Sequence, residues 1–88
     1  MRYFGITFLV IVERGLSIHQ SLGDVQYDVE PIARLAEGDC VLVLSRLEYG
    51  VGQALFGQIC GGKFEGGWIQ MTLPKVDGCR WPLVEQLT

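Results

Sequence analysis

Clustered positive charge, paired cysteines and membrane-length apolar runs are all missing from this chain. Its seven basic residues, Arg2, Arg14, Arg34, Arg46, Lys63, Lys75 and Arg80, are scattered along it, and ten acidic residues give a formal net charge of −3. A nucleic-acid binder needs a basic stripe to neutralise phosphates, so nucleic acid is not an expected partner. The three cysteines, Cys40, Cys60 and Cys79, form no C-x-x-C pair, and His19 is the only histidine. Structural zinc draws its ligands in close pairs on knuckle turns, so neither a metal nor another cofactor is expected. Cys40 and Cys60 sit in apolar runs and read as small buried side chains in a reducing, cytoplasmic setting. The apolar run Ile6 to Val12 is stopped at once by Glu13 and Arg14, with no small-residue cleavage signal. It is far too short to span a bilayer, so it reads as a buried strand, and no membrane partner is expected.

Proline is scarce, at 3, whereas glycine reaches 12. With 49% apolar residues and only 19% charged, disorder is excluded and a compact core is expected. Eighty-eight residues support one domain, 1–88, either by itself or as one part of a larger protein. Glycine-rich, β-branched-rich chains of this size point to an all-β fold with tight turns.

Tyr3 to Val12 reads as a first strand covered on both faces. In GLSIHQ, Leu16 and Ile18 alternate with Ser17 and His19, which puts His19 on the polar, solvent-facing side. Ser21 to Glu30 is rich in turn formers and reads as a long loop. Pro31 to Glu37 is extended chain or one short helical turn, ended by the turn signal AEGD. CVLVLSRL then places Val41, Val43 and Ser45 on one face and Leu42, Leu44 and Arg46 on the other. ALFGQIC and WIQMT are strands joined by the glycine turn GGKFEGG, and CRWPLVEQL closes as a strand or short helix. Five to six strands at spacings of about ten residues indicate a small β-barrel.

The order of these signals resembles the bacterial-type Src-homology-three domain family. GLSIHQSLG is similar to the family's G-L-N-V-R-x-G-P opening, PIARLAEGDCVLVL to its next block, and KFEGGWIQM to its closing G-x-x-G-W-V strand. Together these cover about Gly15 to Met71. Ser17 stands for the family's Asn, His19 for its Arg and Phe56 for its Trp. The A-L-Y-D-Y run used by the eukaryotic branch for proline-rich peptides is absent. The resemblance implies a Src-homology-three-like β-barrel and, for the bacterial branch, recognition of cell-wall peptides; fold alone does not fix function.

Three catalytic or ligand-binding patterns fail on their own chemistry. Gly57, Gly62 and Lys63 match the spacing of a phosphate-binding loop. Phe64, however, stands where the metal-holding Ser or Thr belongs, and Glu65-Gly66-Gly67 cannot start the required helix. A Cys–His nucleophile needs a cleft for which so small a chain has little room, so an enzyme is not expected. Asp24 with Asp28 or Glu30 reads as solvated loop charge rather than an acid–base pair. The nine aromatics are more informative, because one small core cannot enclose them all. Tyr27, Tyr49 and Phe64 fall in solvent-facing segments, and Trp68 lies between core and surface. Exposed aromatics anchor small binding modules, with Asp24, Asp28 and Glu48 as acidic neighbours. The expectation is a non-catalytic, scaffolding protein-interaction module for a basic or amphipathic partner, with self-association as a further possibility. The alternative is a cage of Tyr27, Tyr49, Phe64 and Trp68 around a methylated or other cationic side chain.

Overall fold

The computed structural model describes residues 4–27 and 29–87. Asp28, and Tyr3 at the expected start of the first strand, lie outside them. Strand β1 (Gly5–Val10) is followed by β2 (Leu16–Ile18), helix α1 (Leu22–Gln26), β3 (Ala33–Leu35), β4 (Cys40–Leu44) and β5 (Glu48–Tyr49). A 3₁₀ turn (Val51–Gln53), β6 (Leu55–Gln58), β7 (Trp68–Gln70) and β8 (Val84–Gln86) complete the chain.

All pairings within the three sheets are antiparallel. One sheet has the order β4-β1-β8, the second is the β2-β3 hairpin, and the third has the order β5-β6-β7. Single bridges, Val43 with Ile59, His19 with Trp68 and Thr72 with Pro82, link their edges. The all-β expectation holds, but the ladders are not closed into a barrel. The strands are also shorter and more numerous than the five to six expected, because isolated bridges and turns interrupt the extended segments.

The alternation in β4 is as expected: Val41 and Val43 are buried while Leu42 faces out. They join Val10, Ile18, Ile69 and Met71 in one core, and Ile18, Ile69, Val10 and Val43 are almost wholly enclosed. Each such side chain contributes about 1.5–3 kcal/mol by leaving water. The first strand is not covered on both faces: Phe8 and Val10 point inward, and Gly5 is exposed.

Cys40 and Cys79 are exposed and Cys60 is half-buried. The expectation of buried thiols fails for Cys40 because it starts β4 on the outward phase that Leu42 continues. Pro31 to Glu37 resolves into β3 rather than a helical turn, since pairing with β2 satisfies its backbone over Leu16↔Leu35 and Ile18↔Ala33. The closing segment is the strand β8.

Ser21 to Glu30 is not simply a loop. Ser21 is the N-cap of α1, and its Oγ accepts a hydrogen bond from the Asp24 N–H at 3.1 Å. Only five residues long, α1 depends on that cap and on packing over β7. Ser21→Ala is expected to lower stability by about 1 kcal/mol. Chemical denaturation gives the loss, and faster amide exchange confined to 22–27 gives its location.

Candidate functional site

A rim forms where α1, the β5–β6 connection and the segment before β8 meet. Gln26, at the end of α1, accepts a hydrogen bond through Oε1 from the Val51 N–H at 3.2 Å. This ties the segment bearing Tyr27 to the one bearing Tyr49. Between them, Gly50 permits a close approach: a Cβ there would collide with the Phe56 ring and crowd Gln26. Arg80 closes the other side, its Nε donating to the Gln53 carbonyl at 2.6 Å and its guanidinium lying 5.0 Å from the Tyr49 ring centroid. The Lys75 N–H donates to the Gly52 carbonyl at 2.9 Å, fixing the same connection from below.

Large apolar side chains remain in water along this rim. Tyr27 is 75% exposed, Tyr49 65% and Trp81 68%, with Val51 exposed beside them in sequence. Single exposed apolar residues are ordinary. Here three large exposed rings sit on segments tied together by the Gln26–Val51 and Arg80–Gln53 hydrogen bonds, which limits their backbone freedom.

The remaining expected site residues are distributed differently. Asp24 is half-buried in the first turn of α1, where its carboxylate favours the helix N-terminus. Glu48 lies 3.6 Å from Arg46 in a solvated ion pair, an arrangement that adds little stability. Asp28 lies outside the described residues. Phe64, expected to be solvent-facing, is half-buried and packs on the core, with Lys63 Nζ 5.5 Å from its ring centroid. The hairpin folds its tip back: the Gly66 N–H donates to the Ile59 carbonyl and the Gly67 N–H to the Phe64 carbonyl. Positive φ at Gly61, Gly62 and Gly66 allows that reversal.

Trp68 is half-buried at the start of β7, bonded through its backbone to His19 in both directions. The four aromatics therefore fall into two groups. Tyr27 and Tyr49 belong to the rim, whereas Phe64 and Trp68 belong to the hairpin at the other end of the β6–β7 ladder. The three-residue step along β6 from Leu55, paired with Tyr49, to Gln58, paired with Trp68, corresponds to about 10 Å. Trp81, Val51 and Arg80 enter the rim in their place. Trp81 follows Arg80 in the chain, and no local sequence signal reports that this segment lies beside Tyr49.

His19 is also placed differently from expectation. Alternation holds over Leu16–Ile18, but the expected solvent-facing His19 is only 3% exposed and lines a cavity that Val25 of α1 also lines. None of the three thiols lines the cavity at His19. Among the described residues, no group of three or more His, Cys, Asp or Glu is placed to hold a metal ion, and no helix is long and apolar enough to cross a membrane. No family model, no characterised protein and no solved structure matches the chain.

Proposed function

We propose that this domain is a non-catalytic interaction module that holds an amphipathic or basic protein segment on the Tyr27–Tyr49–Trp81 rim. The observation that carries this reading is the exposure of three large rings on backbone segments locked by the Gln26–Val51 and Arg80–Gln53 hydrogen bonds. Rigid aromatics present large contact area with few rotamers to immobilise, which is how small modules concentrate binding energy. The acidic balance of the chain, −3 overall, favours a partner carrying positive charge at its ends.

The reading includes an open, Src-homology-three-like barrel as the scaffold. It is supported by the hairpin β2-β3 inserted between β1 and β4, by the order β4-β1-β8, and by the meander β5-β6-β7. In such an arrangement the long first hairpin and the β4–β6 connection flank a shared groove. The position of the rim at α1 and the β5–β6 connection supports this reading.

Selection of displayed peptides on the folded protein, followed by amide chemical-shift mapping, tests the proposal. The expected result is saturable shifts at Tyr27, Tyr49, Val51 and Arg80. Shifts centred on the outer face of β1 and β4, or no saturable binder, would sink it.

A further inference from the structure

Beside α1 lies a polar cavity of about 260 Å³, lined among others by Arg14, Ser17, His19, Val25, Arg34 and Gln70. Two arginines line it and no carboxylate does, although the chain as a whole is acidic. Arg34 is held in place: Nη1 donates to Ser17 Oγ at 2.7 Å and Nη2 to the Arg14 carbonyl at 2.6 Å. Those bonds engage two of the five guanidinium N–H groups and leave three to donate elsewhere. The Arg14 side chain makes no hydrogen bond or ion pair to the described residues.

His19 brings a further polar group to the same cavity. The residue is 97% enclosed, and its Nδ1 is sealed from solvent with no hydrogen-bond partner. Buried polar atoms in folded proteins are almost always paired, and an unpaired N–H is rarer than an unpaired lone pair. The tautomer with hydrogen on Nε2 therefore leaves only a lone pair unmatched at Nδ1 and gives the ring a donor on its other edge. The ring's small remaining exposure is to the cavity it lines.

We propose that this cavity binds an oxyanion, the phosphate or carboxylate group of a small molecule, held by Arg14 and Arg34 with His19 as a further donor. Guanidinium forks match the paired oxygens of both groups and bind them through charge-assisted hydrogen bonds. The volume favours a small molecule: at about 30 Å³ per water it holds roughly eight waters, too much space for a lone halide. Acidic residues are absent from the lining, so the cavity repels cations and has no built-in counterion to compete with an incoming anion.

Calorimetric titration with inorganic phosphate, and separately with acetate, in buffers matched with chloride, tests the assignment. The histidine ring signals are followed by NMR in parallel. At least one of the two anions is expected to bind saturably and shift the His19 ring signals. Saturation by phosphate alone identifies a phosphate site, and by acetate alone a carboxylate site. Arg14→Ala is the cleaner variant because its side chain has no fold-supporting partner. It is expected to weaken binding about tenfold or more, the loss of a charge-assisted hydrogen bond, while leaving the denaturation midpoint unchanged. Arg34→Ala should do the same with some loss of hairpin order. Affinity unaltered in both variants, or shifts no larger than those caused by chloride, would overturn the proposal. Oxyanion titration and peptide mapping report on different residues, so either can succeed while the other fails.

Discussion

Gly15→Ala is expected to destabilise the domain by about 2–5 kcal/mol, the largest effect of any single methyl group considered for this chain. Gly15 has φ of +74°, where an L side chain is strained by about 1–2 kcal/mol. The added Cβ would also be driven into the Leu35 carbonyl oxygen. That oxygen belongs to backbone in the β2-β3 hairpin, where Leu16 pairs with Leu35, so it cannot rotate aside as a side-chain tip would. Overpacking of this kind adds typically 1–3 kcal/mol. Gly38→Ala is a suitable control: its φ is +90°, but a Cβ there meets nothing within 4 Å. The difference in urea midpoint between the two variants isolates the collision from the strain. Near-equal losses would show that the hairpin yields.

The second large effect concerns binding rather than folding. Tyr49→Ala is expected to weaken a rim-binding peptide by about 2 kcal/mol, roughly thirtyfold, as for a central aromatic anchor. The ring is exposed, and its described neighbour is the Arg80 guanidinium, so stability should change by no more than about 1 kcal/mol. Arg80→Ala provides the informative comparison. It removes both the cation over Tyr49 and the hydrogen bond to Gln53, loosening the β5–β6 connection without deleting a contact ring. A module whose rim is preorganised loses affinity in Arg80→Ala through a faster off-rate. Full affinity for both variants, measured by surface-based kinetics, would remove the rim from the binding surface.

Elements with strong local rules were readable in advance. The buried phase of Val41 and Val43 follows from strict alternation, and the reversal at GGKFEGG from glycines that accept positive φ. What escaped depends on neighbours distant in sequence. α1 is a single capped turn containing Gly23, with too few apolar positions for a helical period, and is held by Ser21 and by β7. The burial of His19 was missed for a related reason: alternation put it on the solvent side, and nothing local reports the cavity it shares with Val25 of α1. Phe64 was misplaced for a similar reason: the glycines that announce a turn do not say that its tip folds back onto the core. The rim was half legible, through Tyr27 and Tyr49. Its other half, Arg80 and Trp81, arrives from a segment more than twenty residues away, which no local pattern reports.

The pairing of β1 with β8 has a kinetic consequence. Phe8, Leu9 and Val10 find Gln86, Glu85 and Val84 more than seventy residues further along the chain. Closing so long a loop loses chain entropy before any of that ladder's hydrogen bonds form. Domains dominated by such distant pairings cross their folding barrier in milliseconds to seconds rather than microseconds. Until β8 docks, one edge of β1 presents unpaired amides beside Phe8 and Val10, the part of the molecule most open to mispairing with another nascent chain.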